Sequence, residues 1–130
     1  MNATIRIFVY GTLRRGGRNH RLLETATYVR RATTVPGFTM FDLGGCPAVD
    51  RGGRDAIVGE LYDVDAHTLA RLDRLEGHPT LYCRAPVELD DGSFAMIYIY
   101  KMATRQRVEQ RHEVVASGDW MQRRSTVSRL

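Results

Sequence analysis

The chain has 130 residues, 43% of them hydrophobic and 26% charged, which is ordinary usage for a folded domain and excludes a disordered or fibrous chain. That length accommodates one domain with one core and leaves no room for a second. Nineteen Lys and Arg against fifteen Asp and Glu give a formal charge of +4, and Lys101 is the sole lysine, so the positive charge sits on arginines suited to carboxylate and phosphate groups.

In chain order, Ile5 to Tyr10 is a β-branched and aromatic run stopped by Gly11, and it reads as a buried first strand. Arg18 to Glu24 has the pattern of a short helix with Leu22 and Leu23 turned inward. Thr27 to Val35 reads as extended until Pro36-Gly37 breaks it, and Phe38 to Leu43 and Ala56 to Tyr62 read as strands. Asp65 is a suitable N-cap for a helix from about Ala66 to Glu76, and Gly77 supplies its C-terminal stop. Tyr82 to Leu89 and Phe94 to Met102 form a hairpin joined by Asp90-Asp91-Gly92. A helix is expected around Arg105 to Ala116, with Trp120 as an anchor beyond it. Residues 1–122 are expected to form the domain and 123–130 a basic, mobile tail. No internal repeat occurs, and strands outnumber helices without regular alternation. The expected fold is therefore α+β: a small, mixed, strongly curved sheet or barrel with helices outside.

No stretch approaches the ~20 apolar residues of a membrane helix, and the N-terminal apolar run is too short for a secretory leader. The expectation is a cytoplasmic protein with no membrane partner, in which Cys46 and Cys83 are reduced and pack as core. The histidines His20, His67, His78 and His112 share no helix face, so no metal site is expected.

Two places can carry chemistry. The first is the loop Tyr10-Gly11-Thr12-Leu13-Arg14-Arg15-Gly16-Gly17, whose consecutive backbone N–H groups can cradle an oxygen. It is not a phosphate loop, because Gly17-Arg18 stands where a Lys-Ser/Thr pair is needed. On the residues alone, a plain strand-to-loop turn with a flexible glycine pair is the favoured reading. The second place is Glu76. On a helical wheel Leu69, Leu72 and Leu75 define an apolar stripe, and position 76 falls between Leu69 and Leu72, so a carboxylate is aimed inward. Burial there would raise its pKa and make it a proton acceptor near neutral pH. The alternative is that the helix frays before Gly77 and Glu76 turns to solvent or pairs with Arg84. The arginines Arg14, Arg15, Arg18 and Arg21 read as a solvated face or an anion-steering rim.

Together these pieces resemble the gamma-glutamylcyclotransferase-like family, including AIG2-like proteins and gamma-glutamylamine cyclotransferase. Phe8-Val9-Tyr10-Gly11-Thr12-Leu13 resembles its N-terminal loop and Gly59-Glu60-Leu61-Tyr62 its central strand. Leu72-Asp73-Arg74-Leu75-Glu76-Gly77 with Tyr82-Cys83-Arg84 resembles its Leu-Asp-x-x-Glu-Gly…Tyr-x-Arg segment, and Gly118-Asp119-Trp120 its C-terminal signature. Each motif is weak alone, but four in order over roughly 110 residues make a joint signal. The resemblance implies a small mixed β-barrel flanked by helices. It also implies cyclisation of a γ-glutamyl group to 5-oxoproline with release of the attached amine. The substrate's own α-amine attacks, so neither cofactor nor metal is implied. Glu76 matches the family's catalytic glutamate, the backbone from Tyr10 to Leu13 would bind the glutamyl moiety, and Tyr82 would form a pocket wall or hydroxyl donor. Arg84 would hold the local structure or meet the carboxylate.

The expected partner is thus a small γ-glutamyl substrate, with no nucleic acid, for a monomer or homodimer. Two other readings stand beside this one. The same fold could hold such a ligand without turnover, as a binding or regulatory module, or the arginine excess could serve nucleic acid.

Overall fold

The computed structural model describes residues 3–101 and 113–123. Among these described residues are eight strands: β1 (Ile5–Val9), β2 (Thr27–Thr33), β3 (Phe38–Asp42), β4 (Pro47–Arg51), β5 (Val58–Val64), β6 (Tyr82–Glu88), β7 (Phe94–Tyr100) and β8 (Glu113–Val114). Between β5 and β6 runs the one α-helix among the described residues, α1 (Ala66–Glu76). Single 3-10 turns lie at His20–Leu23 and Trp120–Gln122.

Five strands form one sheet in the order β2-β5-β1-β7-β6, with β1 at its centre, antiparallel to β5 and parallel to β7. Ile7, Phe8 and Val9 are all buried, as a central strand covered on both faces requires. Strand alternation divides them. Phe8 joins Leu61, Ile97, Met40, Val49 and Trp120 in one core, while Ile7 and Val9 join Tyr62, Tyr98, Leu69 and Leu72 in another. A three-stranded sheet, β4-β3-β8, thus covers one face of the five-stranded sheet, and α1 with Leu23 covers the other.

The sheets are not closed into the expected barrel. The two edges of the five-stranded sheet meet at one isolated bridge, Thr34 with Leu89, flanked by bonds from Val35 N–H to Glu88 O and from Asp90 N–H to Thr33 O. Pro36-Gly37, with Gly37 at φ 135°, ends β2 and directs the chain into the separate small sheet. The partner strand there, β4, is missing from the sequence reading. It is short, begins with proline and lies between the glycine pairs 44–45 and 52–53, so it reads as loop. The expected helix over Arg18 to Glu24 is a single 3-10 turn with Leu23 buried and Leu22 half-buried. Most of the helix expected around Arg105 to Ala116 lies outside the described residues. Its described end is instead strand, since Glu113–Val114 pairs with β3.

Locally the capping chemistry is as expected. Asp65 Oδ1 accepts from Thr68 N–H at 2.8 Å, and Gly77 ends α1 in the left-handed region at φ 62°. The β6–β7 hairpin keeps register from Tyr82 opposite Tyr100 to Glu88 opposite Phe94.

Candidate active site

In the loop leaving β1, the carbonyls of residues 11–13 are used and their amides are not. Gly11 O accepts from Arg14 N–H at 3.0 Å, Thr12 O from Asn19 N–H at 3.0 Å, and Leu13 O lies 2.9 Å from His20 Nδ1. The N–H groups of Gly11, Thr12 and Leu13 donate to no other described residue. Three successive uncommitted donors can form a nest for an anionic or carbonyl oxygen. The wall opposite fixes residue 11 as glycine, because a Cβ there would strike the ring of Pro47.

Glu76 closes α1. Thr68, Leu69 and Leu72 are buried, whereas Leu75 is 40% exposed. The buried face is therefore narrower than the expected stripe and stays on the side that carries Glu76. The helix does not fray, because Gly77 N–H bonds Arg74 O and His78 N–H bonds Asp73 O. Arg84 is taken by another carboxylate. Its Nε and Nη2 donate to Asp73 at 2.7 and 3.1 Å, and Tyr98 OH donates to the same residue at 2.7 Å. Burial pushes Asp73 up, but these hydrogen bonds outweigh it and its pKa falls below the ordinary value. Glu76 has no such compensation among the described residues, and desolvation pushes its carboxyl to about 7.

Glu76 and the loop face one pocket. Tyr10, Gly11, Thr12, Leu13, Cys46, Pro47, Glu76, Tyr82 and Tyr98 line it together with Phe8 and Val9, and its free volume is about 50 Å³. Each tyrosine hydroxyl there donates to a structural acceptor at 2.7 Å: Tyr10 to Tyr98 O, Tyr82 to Pro47 O, Tyr98 to Asp73 Oδ1. Burial raises the pKa of all three, so they stay neutral. With its proton committed to Pro47, Tyr82 is a wall whose oxygen can only accept. Burial also raises the Cys46 thiol, which keeps it protonated and unreactive. Among the described residues, no group of three or more His, Cys, Asp or Glu is arranged to hold a metal.

Arg14 departs from the expected solvated rim. It is 5% exposed, and its Nη1 donates to Asp119 Oδ1 at 2.6 Å. Buried beside it is Glu60, which accepts from the backbone N–H of Arg15 at 3.0 Å and from Tyr62 OH at 2.9 Å. The sequence signal was present but indirect: a lone carboxylate inside the apolar run Val58-Gly59-Glu60-Leu61-Tyr62, and an aspartate next to the anchoring Trp120.

The family described as "Gamma-glutamyl cyclotransferase, AIG2-like" matches residues 7–122. A Vibrio cholerae protein provisionally named gamma-glutamylcyclotransferase is 42% identical over 117 residues, covering 90% of this chain and 96% of that one. The rat gamma-glutamylaminecyclotransferase is 32% identical over 116 residues, covering 75% of this chain and 78% of its own. The crystal structure of a mouse AIG2-like protein superposes with a TM-score of 0.70 at 28% identity, over 80% of this chain and 82% of that one. With the N-terminal loop and the helix-end segment of those motifs lining one pocket, the chain belongs to the AIG2-like gamma-glutamylcyclotransferase family.

Proposed function

We propose that the protein cyclises a γ-glutamyl compound to 5-oxoproline and releases the attached amine. The observation that carries this reading is a desolvated carboxylate, titrating at about 7 and without a cationic partner among the described residues, in the same pocket as three uncommitted backbone amides. Glu76 takes a proton from the substrate's α-ammonium. The freed amine attacks the γ-carbonyl carbon and forms the new C–N bond, while negative charge develops on the carbonyl oxygen. Amides of Gly11 to Leu13 hold that oxygen or the α-carboxylate, a role in which one donor is worth about 10²–10³-fold in kcat. Protonated Glu76 gives its proton to the leaving nitrogen as that C–N bond breaks, and the carboxylate so restored takes the second proton from the new ring nitrogen and passes it to the released amine, which departs as an ammonium. Atoms balance without water, metal or cofactor. Tyr10 and Tyr82 are walls that fold the glutamyl chain back on itself, which favours the internal attack.

The test is 5-oxoproline release, read by mass spectrometry, from γ-glutamyl amino acids, γ-glutamylamines and γ-glutamyl acyl conjugates. The expected result is release by wild type and a fall of at least about 10²-fold in Glu76→Gln. Equal release by the variant removes Glu76 as the base. No release by wild type, with 5-oxoproline raising the melting temperature, favours a binding module instead.

A further inference from the structure

Among the described residues, the charged side chains that are fully buried are Arg14, Glu60 and Asp119, at 5%, 8% and 4% exposure. They come from three distant parts of the chain: the loop after β1, strand β5, and the turn before the last 3-10 segment. Asp119 Oδ1 accepts from Arg14 Nη1 and, at 3.0 Å, from Met121 N–H, while its Oδ2 lies 3.4 Å from Arg31 Nη2. Arg14 Nε stands 3.6 Å from Glu60 Oε2 and makes no hydrogen bond. Glu60 grips the neighbouring backbone instead, through Arg15 N–H, and is itself held by Tyr62 OH.

Desolvating three charges is expensive, and a well-packed apolar cluster would stabilise the fold as well or better. An apolar cluster would not supply direction. Arg14 and Arg15 are fastened side by side, one through its side chain and one through its main chain, immediately after Leu13. None of the three charges lines the pocket, so none can touch what binds there.

We propose that Arg14, Glu60 and Asp119 are positioning residues that hold the Gly11, Thr12 and Leu13 amides in their pocket-facing arrangement, so that the C-terminal segment latches the donor loop from behind. The consequence for turnover rests on the cyclotransferase reading above; the consequence for loop order does not. Without the latch the loop keeps its internal turns but loses its fixed direction. Misplacement of donors by about 1 Å is enough to cost on the order of 10²-fold in rate.

The experiment uses the full chain as wild type, Asp119→Asn and Tyr62→Phe. Backbone 15N order parameters are measured for Gly11, Thr12 and Leu13, with Leu69 to Leu72 of α1 as the internal reference. In wild type the three loop amides should be as rigid as α1, at about 0.85. In Asp119→Asn they should fall toward about 0.6 or below while α1 stays unchanged. Tyr62→Phe removes one hydrogen bond at nearly constant volume, so it should move the same amides less and keeps the test alive if Asp119→Asn does not fold. In parallel, Asp119→Asn should lower kcat for 5-oxoproline release roughly 10- to 100-fold, with the pH midpoint set by Glu76 unmoved. Unchanged loop order parameters in both variants would overturn the proposal, as would an equal loss of order in α1. If wild type releases no 5-oxoproline, the order parameters still decide the matter, so failure of the latch and failure of the cyclotransferase reading stay distinct.

Discussion

An ionised carboxylate at position 76 works against the fold, and pH sets the size of the effect. Its folded pKa of about 7 lies above the ordinary 4.5, so between those values the folded state binds the extra proton. Stability is full below about pH 4.5, falls as pH rises, and levels off above pH 7, by a total on the order of 3 kcal/mol. Glu76→Gln carries no charge to desolvate. It is therefore expected to be more stable than wild type above pH 7 and to lose that advantage at pH 4.5, in urea melts of the two proteins at both pH values. Turnover should run the opposite way, with kcat/KM rising through about pH 7 as the base form appears. A neutral residue at 76 that gave no stabilisation at high pH would mean that the carboxylate is not desolvated.

At the scale of elements, the end of α1 is placed by Asp73 and Arg84, which join helix to strand β6 through a bidentate pair. Arg84→Ala leaves Asp73 with Tyr98 alone and is expected to cost about 1–3 kcal/mol at neutral pH. Because the Asp73 pKa is lowered, the pair's contribution is present above the ordinary value of 3.8 and is lost as pH falls below it. The difference between wild type and Arg84→Ala should therefore shrink toward pH 3 in thermal melts, whereas one that persists unchanged there would point to packing of the arginine stem instead. This pair also settles an ambiguity of the helix pattern. The sequence left open a pairing of Glu76 with Arg84. In the structure Arg84 bonds Asp73, and Glu76 lines the pocket instead.

For the whole molecule, the C-terminal segment is structural as well as a candidate latch. Trp120 is 3% exposed and packs in the core beneath the small sheet. Arg123, the first residue of the expected tail, stacks over its ring at 3.8 Å and donates to its carbonyl. Trp120→Ala is expected to cost about 3–5 kcal/mol and to lower the melting temperature by roughly 10 °C or more. Fluorescence, which loses its sole tryptophan, cannot follow this variant, so calorimetry is the measurement. A shift of only a degree or two would show that the segment is not part of the cooperative core. No helix among the described residues is long and apolar enough to cross a membrane.

Local chemistry was legible along the chain wherever one residue decides one local outcome. The Asp65 cap, the Gly77 stop, the turn after Leu89 and the buried run of β1 follow from side-chain hydrogen bonding, left-handed backbone and hydrophobic patterning within a few residues. The inward aim of Glu76 was legible for the same reason, since helical periodicity is local. Strand β4 was not, because a five-residue strand that opens on proline is stabilised by its pairing with β3 rather than by its own pattern. That the sheets stay open rather than closing into the expected barrel was not legible either, because it depends on where distant edges meet. Above all, only the tertiary structure decided that Arg14 is buried and not solvated. Its environment is made by Glu60 and Asp119, 46 and 105 positions away, and a charge can be buried only where the fold brings its counter-charges to it.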